Sequence, residues 1–145
     1  MNIIILVITT IIVSILLNYY VNETILLDKN ITNNLHKFYM SVFMGIQMGI
    51  MEIFMHHDHL NINNMVVYLI IMSGALYYVY KRLQTLDFMN DQEFLLAMIE
   101  HHENAIVMVD KARPNISFKL LPFIDNIKRV QTKEIQYMKN NLNKN

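Results

Sequence analysis

Cysteine is absent from the 145 residues, which excludes disulfides, thiolate zinc sites and cysteine nucleophiles together. Glycine numbers only 3, and no glycine loop that would cradle a phosphate and no Gly- or Ser-rich linker is present. Charge is sparse as well, at 17% of residues against 54% hydrophobic, with acidic and basic groups cancelling. Soluble domains average about 25% charged residues, so this shift points to lipid rather than to a large soluble core. No run of basic residues interleaved with aromatics occurs, which argues against nucleic acid as a partner. Methionine, by contrast, numbers 12, and histidine 6. With thiolate missing, soft-metal chemistry must run through thioether and imidazole.

Ile3 to Val21 form an apolar run broken by Asn18, Tyr19 and Tyr20. A helix needs roughly 20 such residues to cross a bilayer. A cleaved signal peptide would want a basic start and small residues before the cut, and Met1-Asn2 and Asn18-Tyr19-Tyr20 supply neither. The expectation is an uncleaved transmembrane anchor over residues 1–21, with the tyrosines at the interface, followed by a polar loop over 22–37. Apolar runs at Phe38–Met55 and Met65–Tyr80 make a methionine-rich helical hairpin over 38–82, expected to span the membrane. His56-His57-Asp58-His59 occupies its turn, and Lys81-Arg82 ends it.

Residues 83–145 are expected to form a soluble helical hairpin. Its first helix runs from about Asp91 to Ala112 and stops at Arg113-Pro114, because the residue before proline leaves helical space. Its second runs from about Phe118 to Leu142, with an inward stripe of Ile124, Ile127, Gln131, Ile135, Met138 and Leu142. Two helices of this size bury too little surface to fold alone. The fold expected is all-α, a membrane-anchored chain ending in a ferritin-like antiparallel hairpin. The hairpin must dock on the ends of the membrane helices or on a second copy of itself. A second copy gives a four-helix bundle, most simply a homodimer, so the partners expected are the lipid membrane and a homodimer mate.

The first helix of the hairpin carries two adjacent histidines. Phe94, Met98, His101, Ala105 and Met108 follow one helical stripe, and Leu95, Ile99, His102, Ile106 and Val109 follow a second beside it. Both stripes are expected to face inward. Adjacent positions point about 100° apart, so each imidazole must find partners elsewhere: Met98 or Met108 along the helix, or Gln131, Glu134 and Met138 across it. Such a face either binds a soft metal or closes a bundle core through histidine–glutamine or histidine–glutamate hydrogen bonds. On the preceding hairpin Met40, Met44, Met48, Met51 and Met55 lie within about an 80° sector of one helix. This ladder leads to His56, His57 and His59, a donor set that suits Cu(I) and disfavours Mg²⁺ or Ca²⁺. Methionine also packs well in any apolar helix. Gly45 and Gly49 form a small-xxx-small pair on another face, a close-packing signal. Glu52 is costly in hydrocarbon, so it is expected near the interface or accepting a hydrogen bond from a turn histidine.

No His-Glu-x-x-His zinc signature and no nucleophile elbow is present, and Met98 stands where a di-iron bundle needs Glu before His101. The expectation is a protein that is not an enzyme.

At these residues the chain resembles the domain of unknown function family numbered three hundred and five. The resemblance is carried by Asp91, Phe94, Leu95, Met98, Ile99, His101, His102, Ala105, Ile106 and Met108. It continues at Pro122, Ile127, Gln131, Glu134, Ile135 and Met138, spanning about Gln84 to Leu142. It implies a ferritin-like helical fold and, for some relatives, copper binding through methionine and histidine. The ligands so implied are Met98, His101, His102, Met108 and Met138. Val109 and Asp110, where small residues such as Ala are usual, and the short loop Lys111–Ser117 depart from the family pattern.

The turn near residue 60 has no Lys or Arg, whereas Lys81 and Arg82 flank the third run, which directs the histidine hairpin to the cytoplasmic side. Sequons at Asn22, Asn30 and Asn115 point weakly the other way. Two functions follow from the residues. The first is a multi-pass membrane protein binding or trafficking copper, with Met98, His101, His102, Met108, Met138, His56, His57 and His59 as ligand candidates. The second is a structural membrane protein whose histidines only stabilise the bundle.

Overall fold

The computed structural model describes residues 3–21 and 34–142 and is all-α, without strands among them. Helix α1 spans Ile3–Leu16 and widens into a π-type turn over Leu17–Val21. Four further helices follow: α2 over Leu35–Met55, α3 over Ile62–Thr85, α4 over Asp91–Ala112 and α5 over Leu121–Leu142. Short 3₁₀ turns lie at His57–His59, Arg113–Asn115 and Phe118–Leu120. The last of these takes up the start of the second hairpin helix, expected from Phe118. The sequons at Asn22 and Asn30, and residues 22–33 of the expected polar loop, lie outside the described residues.

The chain divides into two compact units. The first holds α1, α2 and α3 and runs to Phe88, not to Arg82 as the composition suggested. The reason is local: Phe88 stacks on Tyr39 with ring centroids 4.5 Å apart, and the Arg82 guanidinium sits 5.9 Å from both rings. Arg82 also pairs with Asp87 at 2.9 Å. Helix α3 ends one turn beyond the apolar run because Leu86 caps it in the left-handed conformation, φ 51°, its N–H bonding the Arg82 carbonyl. Glycine is the usual residue there, and leucine gives no signal of such a cap.

Within this unit Ile15 of α1 faces Gly45 of α2 and Ile11 faces Gly49, so the two helices run antiparallel. The glycines set how closely they approach. A Cβ on Gly45 would stand 2.5 Å from Ile15 Cγ1 and 3.1 Å from the Ile11 carbonyl oxygen. One on Gly49 would stand 2.6 Å from Ile11 Cγ1 and 2.7 Å from Met72 Cε of α3. The small-xxx-small pair thus packs against this chain's own first helix. Ser41, Ile46, Glu52 and Ile53 complete the buried face of α2. The opposite face is the methionine ladder: Met40, Met44, Met48, Met51 and Met55 are all exposed. By length and composition, Ile3–Tyr20, α2 and α3 can each cross a membrane. At one end of the unit Lys37 lies 4.7 Å over the Tyr19 ring, close to the start of α2, whose antiparallel partner α1 ends there. Aromatic rings and cations gathered at helix ends are what a bilayer interface favours.

The second unit contains Asn34, α4 and α5. Asn90 caps α4, its side chain accepting the Glu93 N–H at 2.8 Å. The core is Ile99, Ile135 and Met138, with Leu95, Met98, Ile106 and Leu142 packed around it. Ile124 is buried too, as its stripe on α5 requires. Ion pairs edge the helix contact: Lys128 with Asp110 at 2.6 Å, Lys139 with Glu103 at 2.7 Å, and Arg113 with Asp125. The buried Asn34 amide donates to Glu100.

The α1–α2 contact makes a simple contrast. Gly45→Ala must displace Ile15 and is expected to cost about 1–3 kcal/mol, as overpacking does. Gly74, on α3, has no atom within 4 Å of an added Cβ. Gly74→Ala should therefore leave stability unchanged or raise it by up to about 1 kcal/mol through helix propensity. Thermal unfolding of both variants in mild detergent, followed by circular dichroism, checks the pair; equal effects would contradict the packing.

Candidate metal site

His102 is reached from the α4 pattern, which turns its stripe onto α5. Only 12% of its side chain remains exposed. Its Nδ1 lies 2.7 Å from the Met98 carbonyl oxygen and its Nε2 lies 2.9 Å from Glu134 Oε2 of α5. A carbonyl oxygen only accepts, so Nδ1 carries the hydrogen and donates it. In the neutral ring this leaves the lone pair on Nε2, aimed at a carboxylate oxygen. Two electron-rich atoms at that distance need something between them: a proton, carried by Nε2 or by the carboxyl oxygen, or a metal cation shared by both.

Of the five residues expected to ligate from this hairpin, three share one neighbourhood. Met98 and Met138 belong to the same apolar cluster between α4 and α5. His102 bonds the Met98 backbone and reaches Glu134, four residues before Met138 on the α5 surface. His101 and Met108 stand apart from this group. The His101 ring centroid is 5.7 Å from that of His102 with the planes at 68°, and His101 is exposed, as is Met108 at 66%. The expectation that both α4 stripes face inward is corrected accordingly: α5 covers Leu95, Ile99, His102, Ile106 and Val109, while Phe94, His101 and Met108 remain outside. One helix can cover only one stripe of its neighbour, and a stripe about 100° away stays open.

Glu134, expected as a possible partner of the histidines across the hairpin, does reach His102, although the ligand set implied by the resemblance omits it. Gln131, one turn earlier, has a buried Oε1 with no hydrogen-bond partner among the described residues.

The turn histidines divide. His56 Nδ1 lies 3.1 Å from Glu52 Oε1, and Glu52 is buried. The His59 ring stacks on that of His56 with centroids 6.3 Å apart. His57 faces elsewhere, with Nδ1 3.0 Å from the Phe54 carbonyl and Nε2 2.9 Å from Asp58 Oδ1. Among the described residues no group of three or more His, Asp or Glu side chains is placed to hold a metal ion. Any metal at either place would therefore need a further donor besides these imidazoles and carboxylates.

At the far end of α4 the electrostatics are those of an exposed clasp. The Arg113 guanidinium, hydrogen-bonded to Asp125, holds that carboxyl below the usual carboxylate range, and Asp125 in turn raises Arg113. A carboxyl with a lowered folded pKa contributes stability that is fully present above the ordinary Asp value, about 3.9, and is lost as pH falls through the folded value. Asp125→Asn should flatten that part of the acid dependence of unfolding, and Arg113→Ala should return the Asp125 titration to the ordinary range, read by carboxyl chemical shifts. An unchanged titration in Arg113→Ala would contradict the pairing.

Residues 73–142 match the model of a family described as Domain of unknown function (DUF305), beginning within α3 rather than near Gln84. That description assigns no activity. No curated protein and no solved structure matches the chain.

Proposed function

We propose that the protein, whose residues 73–142 match that family's model, is a multi-pass membrane protein whose α4–α5 hairpin binds Cu(I), to hold or pass on the ion rather than to turn over a substrate. The observation that carries the reading is the His102 geometry. Its Nδ1–H is committed to the Met98 carbonyl, so the remaining nitrogen is the one free to ligate, and the facing carboxylate calls for a cation. The donors fit a soft ion: thioethers from Met98 and Met138 beside one imidazole, in a face that water reaches poorly. Glu134, half-exposed at the rim, balances charge or swings away.

The uncovered stripe of α4 supports a homodimer. Phe94, His101 and Met108 are too apolar and too soft a set for a purely solvated face. A second hairpin laid on them completes a four-helix bundle and brings further imidazole and thioether to each site. Membrane sidedness follows from charge. Lys81 and Arg82 close α3 next to the hairpin, while the turn at His56–His59 has no Lys or Arg, so the hairpin belongs on the cytoplasmic side with its Asn115 sequon unused.

A second reading rests on the same contact. With a proton in place of the ion, the His102–Glu134 pair is a clip between α4 and α5, and the protein is structural. Full-length protein in detergent, titrated with Cu(I) against a chromogenic chelator, separates the two. The copper reading expects the double variant His101→Ala with His102→Ala to bind one equivalent per chain, or one per dimer, less than the parent. It also expects Met138→Leu, which conserves volume and fold, to weaken that equivalent. If the parent and the double variant bind equally while the variant unfolds at lower temperature, the clip is the whole role.

A further inference from the structure

We propose a second soft-metal site, at the turn joining α2 and α3, in which His56 Nε2 and the His59 imidazole take a monovalent soft cation, Cu(I), with sulfur supplied from the end of the methionine ladder. The site shares no residue with the α4–α5 hairpin and does not depend on it.

The first ground is that His56 is held ready. Its Nδ1 lies 3.1 Å from Glu52 Oε1 and 3.3 Å from the Glu52 carbonyl oxygen, and both of these atoms only accept when the carboxylate is ionised. Nδ1 is therefore the protonated nitrogen and Nε2 holds the lone pair. A carboxylate behind a histidine in this way fixes the tautomer and makes the other nitrogen a better ligand. Glu52 is only 7% exposed, on a buried face of α2 otherwise made of Ser41, glycines and isoleucines, where a carboxylate without a partner is costly. The second ground is the partner ring. His59 stacks at 6.3 Å with the planes 27° apart, on an exposed turn where a small rotation brings a nitrogen toward the same point. His57, between them in sequence, has both nitrogens engaged by Phe54 and Asp58 and is excluded.

The third ground is where the thioethers are. Outward-facing large residues on α1 are Ile, Val, Leu and Tyr, and those on α3 are Ile, Val and Tyr. On α2 they are Met40, Met44, Met48, Met51 and Met55 with Leu35, Phe38 and Phe54. Lipid accepts methionine as it accepts leucine or isoleucine, but it does not of itself confine the exposed thioethers to one helix. Steps of three and four residues put successive thioethers beside one another along one face. Met55 ends the row one residue before His56 but about 100° round the helix from it, so its long side chain must swing across to join the imidazoles. Imidazole and thioether together select a soft ion over Mg²⁺ or Ca²⁺.

The test uses full-length protein in lipid nanodiscs, in the His101→Ala, His102→Ala background, titrated with Cu(I) alone against a chromogenic chelator, with helicity checked for each variant. The proposal expects about one equivalent per chain to remain in that background. His56→Ala and His59→Ala should each abolish it, His57→Ala should retain it, and Met51→Leu with Met55→Leu should weaken it. Glu52→Gln should lower affinity about 10–100-fold, as loss of a supporting carboxylate does. A background protein that binds no Cu(I) would overturn the proposal. So would folded variants in which His57→Ala loses as much as His56→Ala, or in which neither His56→Ala nor His59→Ala changes binding.

Discussion

Each helix of this chain has more apolar surface than its neighbours cover, and the chemistry open to the protein depends on which stripe is covered. In the second unit α4 meets α5 along Leu95, Ile99, His102, Ile106 and Val109, and α5 answers with Ile124, Ile135 and Met138. In the first unit α2 turns its glycine face to α1 and α3, and that choice leaves five thioethers outside. Close contact at Gly45 and Gly49 fixes the rotation of α2 about its own axis. A different rotation would bury the methionines and expose Glu52 on a helix long and apolar enough to cross a membrane. Glycine placement thus decides sulfur placement.

The helix boundaries were legible because the signals for them are local. Asn90 followed by Glu93, and Arg113-Pro114, bracket α4 over the residues expected, and the hydrophobic period of α5 places Ile124, Ile135 and Met138 inside. The inward stripe of α4 was only half legible. Periodicity reports which residues are apolar, and Phe94, Met98, Ala105 and Met108 are as apolar as the stripe beside them. What periodicity does not contain is the number of neighbours. With one partner helix the second stripe is covered, while of the first only Met98 reaches the core and Phe94, His101 and Met108 stay exposed. Where α3 ends was hidden for another reason: Leu86 adopts a conformation usually left to glycine, held by its bond to Arg82 and the aromatic cluster around that side chain.

The candidate ligands divide along the same line. Adjacent histidines on a helix diverge by about 100°, so a His-His pair never acts as one chelate, and its members are assigned to different faces as soon as one face is covered. His102 went to the covered face and His101 to the open one. Spacing alone named both. The residue opposite, Glu134, is among the three partners the spacing offers across the hairpin, but which of them meets His102 depends on how α4 and α5 are rotated against each other, which no single helix encodes.

One local device recurs in the two units. His102 gives its Nδ1 to the backbone carbonyl four residues earlier, at Met98, and His56 lies against the carbonyl and carboxylate four residues earlier, at Glu52. In both, the turn of helix that precedes the ring fixes its tautomer and presents Nε2. In both, a neighbouring histidine, His101 or His57, is turned to a different environment. The device needs nothing but an i to i−4 relation, so it requires no glycine, no loop and no cysteine, which this sequence scarcely offers or lacks. It differs in what stands before Nε2. At His102 a carboxylate from another helix already faces it, so a proton competes with any ion for that position. At His56 the carboxylate lies behind the ring instead, which strengthens the nitrogen without occupying its lone pair. On this ground the turn is the less obstructed of the two places for a soft ion, even though it lies outside the segment that the family match covers.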